Sequence, residues 1–217
     1  MAKRIVEVDD LARRDHYYLT PADKCYFYGE YTAGEGHAYS ETNQLILNFK
    51  KGVDRRGRPE WNYKEKAIAQ AAAVFRTAFA TVAFQQLTFV PIPPSKAKTD
   101  PLYDDRMLRL LQFICAGQHS DIRELVVQTQ STEASHAATV RPSPDQLAAR
   151  YQIDTTITYP PPQIIAVFDD VLTTGAHFKA VQQVLQAQFP GVPVVGFFIA
   201  RRVPKSVDFD EINVIDS

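Results

Sequence analysis

The chain has 217 residues, 45% of them apolar and 23% charged, with a formal net charge of -1 and only two cysteines, Cys25 and Cys115. That length fits one domain of roughly 150 residues with an added flap, and the composition is that of an ordinary soluble globular protein. No apolar run reaches the ~18 to 20 residues of a membrane span, the near-neutral charge gives no global drive toward nucleic acid, and two distant cysteines suggest neither a disulfide framework nor a structural zinc site.

The N-terminus, MAKRIVEVDDLARRDHYYL, is basic but lacks the apolar stretch of a secretory signal, so a cytoplasmic location is expected. Two runs of β-formers follow, KCYFYGEY at 24–31 and QLILNFK at 44–50, separated by the turn-rich TAGEGHAYSETN. They read as a hairpin or two edge strands, giving an N-terminal β-rich flap over residues 1–62. The segment KKGVDRRGRPE, 50–60, gathers Lys50, Lys51, Arg55, Arg56 and Arg58 around two glycines and reads as a solvated loop; a phosphate or nucleic-acid contact is its other reading.

Residues 63–217 read as a single α/β core. YKEKAIAQAAAVFRTAFAT has helical apolar spacing, and its alanines permit close packing on a sheet. Leu87 to Ile92 is a short buried strand stopped by prolines. A helix is expected from Asp104, with an acidic first turn and Gly117 near its end. ELVVQTQ at 124–130 is a strand candidate, PDQLAARY a short helix, and Ile164 to Phe168 a strand followed by a helix at 176–188 and a last buried strand at 192–200. Alternating strands and helices predict a mainly parallel sheet covered on both faces.

The segment VFDDVLTTGAHF, 167–178, ends a buried strand on two adjacent carboxylates. In an open parallel sheet, ligands bind beyond the carboxyl ends of the strands. Adjacent carboxylates repel, so a site that keeps both supplies hydroxyl donors or a cation. A ribose offers two vicinal hydroxyls. The small-residue turn Leu172 to His177 enters a helix, whose free N–H groups can cradle a phosphate, with Thr173 and Thr174 adding hydroxyls. Carboxylates for a sugar and amides for its 5-phosphate describe a phosphoribosyl site. The alternative for the Asp pair is a helix cap followed by ordinary Thr-Gly turn chemistry.

These residues resemble the phosphoribosyl-pyrophosphate (PRPP) signature of the type I phosphoribosyltransferases: apolar residues, two acidic residues, two variable ones, then Thr-Thr-Gly. The resemblance implies a Rossmann-like sheet of the type I kind. It assigns Asp169 and Asp170 to the ribose and catalysis, and the loop Val171, Leu172, Thr173, Thr174, Gly175, Ala176 and His177 to PRPP. His177 stands where a threonine or serine is usual. QLILNFKKG, FVPIPPSK, DDR at 104–106 and the stretch 129–154 are similar in order and character to the ComF-like branch, so the likeness covers about residues 25–202. It nominates Pro94, Ser95 and Lys96 for pyrophosphate, a role the residues themselves also allow for Arg106, and places a flexible hood within 97–140. The cysteine-rich zinc module common in that branch has no counterpart here.

On the residues alone, Ser95 and Lys96 also read as a solvated loop, and Arg106 and Arg109 as pairing with Asp104 and Asp105. Arg141 and Arg150 read as structural pairing, Cys115 as inert core, His119 as surface, and Trp61 with Tyr26, Phe27, Tyr28 and Tyr31 as packing. Two functions follow as expectations. One is a transferase that passes the phosphoribosyl group to a nitrogenous acceptor, using Mg2+ carried by PRPP. The other is a non-catalytic sensor of PRPP or a ribonucleotide acting through a partner in DNA uptake, repair or phage defence. Direct nucleic-acid binding through 50–58 is weaker, and the resemblance suggests a homodimer.

Overall fold

The computed structural model describes residues 5–132 and 142–205. Six strands form one sheet in the order β1 (Val6–Glu7), β2 (Lys24–Thr32), β8 (Val194–Val203), β7 (Ile164–Leu172), β3 (Leu87–Pro91) and β4 (Asp121–Ile122). Only β1 runs antiparallel to its neighbour; the other four pairings are parallel. This is a mixed α/β fold with a mainly parallel sheet, as the alternation of elements predicts.

Alternation along β7 explains how the sheet is covered twice. Ile165 and Val167 join one apolar cluster with Ala180, Val181 and Leu185 of α7 (Ala176–Gln188). Ala166 and Phe168 join the other, with α2 (Glu41–Phe49), α3 (Trp61–Ala78) and α5 (Arg106–Cys115). A strand buried on both faces is apolar at every position, which is why 164–168 carries no period-two pattern. Two short helices, α1 (Asp10–Arg13) and α4 (Thr81–Gln86), complete that half of the chain. A small antiparallel ribbon of β5 (Val126–Gln128) and β6 (Tyr151–Ile153), with α6 (Pro144–Ala148) between them in sequence, packs on the α7 side.

The N-terminal expectation is corrected in one respect. Residues 44–50 are not a second strand, because α2 occupies Glu41–Phe49. Ser40 caps it by accepting from the Asn43 backbone, and Leu45, Ile46 and Phe49 fall on one helical face. Asn43, fully buried, accepts from the Thr32 backbone N–H at 3.1 Å and donates to the Thr32 carbonyl at 2.9 Å, which ties α2 to the end of β2. Gly29 lets the helix approach, since a Cβ there would lie 2.5 Å from the Thr42 hydroxyl. The 24–31 strand therefore has no partner at 44–50 and is no edge strand: β2 lies inside the main sheet, between β1 and β8.

The chain leaves β3 toward β4 on one side and leaves β7 toward β8 on the other. Such a reversal opens a crevice at the carboxyl ends of β3 and β7, where ligands of open parallel sheets bind. No described helix is long and apolar enough to cross a membrane.

Candidate functional site

A cleft of about 360 Å3 occupies that crevice. Its walls include Pro94 and Ser95 after β3, Lys50 after α2, Arg106 at the start of α5, Leu147 of α6, and Asp169, Asp170, Val171, Thr173, Thr174, Ala176 and His177 from the end of β7 into α7. The sequence candidates are therefore brought together, with three exceptions. Leu172 is buried in the core beneath the loop, and Gly175 faces Leu19. Lys96 lines a smaller recess beside the cleft with Lys98, Tyr103 and Glu124. Arg141 lies outside the described residues.

The acidic pair sits within the strand, since β7 continues to Leu172. Asp170 is 4% exposed, and its carboxylate accepts from two cations. Lys50 Nζ lies 3.3 Å from Oδ1; Arg106 reaches Oδ2 through Nη2 at 2.7 Å and Nε at 3.2 Å. Arg106 Nη1 donates to Asp104 at 2.9 Å, and Asp104 accepts from the fully buried Lys64 at 2.6 Å. Lys64 is held in turn by the Lys51 carbonyl at 2.7 Å. The chain of charges thus runs Lys50, Asp170, Arg106, Asp104, Lys64, with one positive charge in excess.

Asp169 stands apart from this network. It accepts the Asp170 backbone N–H at 2.8 Å. Burial and the neighbouring Asp170 charge push its carboxyl up to about 7. Burial also pushes Asp170 upward, but Lys50 and Arg106 more than offset it and hold that carboxyl below its ordinary value. One carboxylate is therefore fixed as an anion, while its neighbour titrates near neutrality.

The loop that follows is built to leave its amides free. Gly175 takes φ +86° and starts α7 with no side-chain cap, so the first-turn N–H groups lack that partner. The loop carbonyls are satisfied from outside the cleft: His16 Nδ1 bonds the Thr173 carbonyl, and the Tyr18 backbone donates to the Thr174 carbonyl at 3.0 Å. His16 is fully buried, and burial lowers its pKa. His177 shares a 3.0 Å hydrogen bond between Nδ1 and the Tyr151 hydroxyl, and burial lowers its pKa too. If Tyr151 donates, the neutral ring carries its proton on Nε2, a donor for an anion.

Other sequence readings fall into place. Arg109 pairs with Glu65 rather than Asp105, Cys115 is buried and its thiol is raised by burial, and His119 is exposed. In the basic segment, Arg55 pairs with Asp54 and Glu60, and Arg56 stacks on Trp61. Lys50 departs from the solvated-loop reading by lining the cleft. Lys64, His16 and Tyr151 are the participants that sequence reasoning missed. No local pattern marks them, because each is recruited from a distant element.

Among the described residues no three His, Cys, Asp or Glu side chains converge as a cage for a metal. Asp169, a hard oxygen donor in the cleft, suits contact with a cation that arrives on a ligand. Compared with known proteins, the chain matches no family model and no curated protein.

Proposed function

We propose that the cleft binds the ribose 5-phosphate part of PRPP and that the protein is a phosphoribosyltransferase of the type I kind. The observation that carries this reading is the pairing of two chemistries within one crevice: the Asp169 and Asp170 carboxylates, and the uncapped Thr173-Thr174-Gly175-Ala176 turn at the start of α7. Carboxylates accept from ribose hydroxyls. Helix-start amides and threonine hydroxyls donate to a phosphate, which the helix dipole also favours. Pro94, Ser95, Arg106 and Lys50 stand across the cleft, where a pyrophosphate would be met by cations and backbone.

In the reaction, a nitrogen of the acceptor attacks C1 of the ribose. The bond from C1 to the pyrophosphate oxygen breaks, the pyrophosphate leaves with the electron pair, and the acceptor nitrogen loses its proton. Mg2+ bound with PRPP would supply charge neutralisation at the pyrophosphate. The protein's part is to hold the sugar by Asp169 and Asp170 and to stabilise the leaving group with Lys50 and Arg106, through position and electrostatics.

Calorimetry of PRPP with Mg2+ tests the binding claim. Wild type is expected to show saturable binding, and Asp170→Asn to weaken it at least about tenfold while keeping its circular dichroism; equal affinity in the two would remove Asp170 from the ribose role. Mg2+-dependent pyrophosphate release with a nucleobase or amine acceptor tests catalysis. The sensor reading is favoured by one observation: His177 stands in the phosphate loop with Nδ1 engaged by Tyr151. PRPP binding with no turnover across a broad acceptor panel would select it.

A further inference from the structure

We propose that Lys50 and Arg106 form a latch on Asp170 that a multivalent phosphate anion opens, so that anion binding and sugar-diol binding in the cleft are positively coupled. This rests on the phosphoribosyl reading of the cleft. The acceptor atoms that a ribose needs at Asp170 are occupied: Lys50 lies on Oδ1, and Arg106 lies twice on Oδ2. A sugar arriving alone must displace these cations or settle for the lone pairs they leave.

The two arms of the latch differ in strength. The Lys50 contact, at 3.3 Å, is long for a charge-assisted hydrogen bond, whereas the Arg106 contact, at 2.7 Å, is short. Arg106 also has a second anchor. Its Nη1 stays on Asp104, which Lys64 holds at 2.6 Å, so the guanidinium can release Asp170 without becoming an unpaired charge. Lys50, with about a third of its side chain exposed, turns toward the open cleft at little cost.

Asp170 cannot be abandoned so cheaply. A nearly buried carboxylate without partners is strongly disfavoured, and two sugar hydroxyls are replacements of the right kind, being donors without charge. The anion therefore takes the cations, the diol takes the carboxylate, and each exchange makes the other more favourable. Simple electrostatics predicts the opposite sign, since a pyrophosphate and a sugar phosphate repel each other. Linkage requires the effect to be reciprocal.

The test titrates ribose 5-phosphate into the full chain at fixed free Mg2+, with and without saturating inorganic pyrophosphate, in wild type and Lys50→Gln. Pyrophosphate is expected to tighten ribose 5-phosphate binding to wild type by roughly five- to a hundredfold. Lys50→Gln, with one arm already open, is expected to bind ribose 5-phosphate more tightly alone and to gain less from pyrophosphate. Unchanged or weakened affinity in wild type would overturn the latch while leaving the phosphoribosyl site standing. An undiminished gain in Lys50→Gln would overturn the Lys50 arm. If ribose 5-phosphate fails to bind under either condition, the site reading falls, and the latch with it.

Discussion

Asp169 and Asp170 are chemically identical neighbours whose surroundings give them different protonation behaviour. Asp170 stays ionised across neutral pH because two cations touch it. Asp169 has a carboxyl pushed to about 7 by burial and by the charge beside it. The folded chain thus favours the protonated form of Asp169; that contribution to stability is complete below the ordinary carboxyl pKa and is lost as pH rises through about 7. A ligand that donates hydroxyls or brings a cation needs the ionised form, so affinity should rise about tenfold from pH 6 to pH 8. Dividing the wild-type pH profile for ribose 5-phosphate by that of Asp169→Asn cancels titration of the phosphate itself. A flat ratio would show that Asp169 keeps one charge state throughout. The acidic pair and the Thr-Thr-Gly turn are legible in the sequence, since contiguous residues carry their chemistry. The Lys50 contact is not: Lys50 and Asp170 are 120 positions apart and meet only because α2 and β7 end at the same rim.

The loop between β7 and α7 is shaped as much by the N-terminal segment as by its own residues. His16 and Tyr18 bind its carbonyls, and Leu19 packs against Gly175. At Gly175 a side chain would face two penalties, φ +86° and a Cβ only 3.0 Å from the Leu19 Cγ and Cδ2 atoms. Gly175→Ala should therefore lower stability by about 1–3 kcal/mol in urea denaturation and weaken phosphate-ligand binding. An unchanged urea midpoint would mean that the Leu19 contact yields freely. A turn and a helix start were readable in Leu172 to Ala176, yet nothing near His16 announces that it backs a loop more than 150 residues away. The strand expectation at 44–50 failed for a different reason. Leu45, Ile46, Leu47 and Phe49 satisfy an apolar run of either kind, and the Ser40 cap was the local signal that decides for a helix.

Across the molecule, stability and site share one strand. Phe168, fully buried immediately before Asp169, lies among the rings of Phe75, Phe79, Phe89 and Phe197, with centroids 5.1–6.2 Å away. Phe168→Ala removes the centre of that group and should cost about 3–5 kcal/mol in urea denaturation. A loss below about 1 kcal/mol would indicate that the surrounding rings collapse into the space. The parallel sheet was legible from the rhythm of apolar runs. Strand order was not, because the rhythm does not reveal that the early strand β2 lies beside the last strand β8.

That neighbour relation has a consequence for the growing chain. β2 pairs with β8 over residues 24–32 and 195–203, so a ribosome must deliver nearly the whole described sequence before the first long strand finds its place. Until then β2 and its aromatic residues have an open edge. The cleft can assemble only once β8 has been made, with residues 24–32 waiting for residues 195–203.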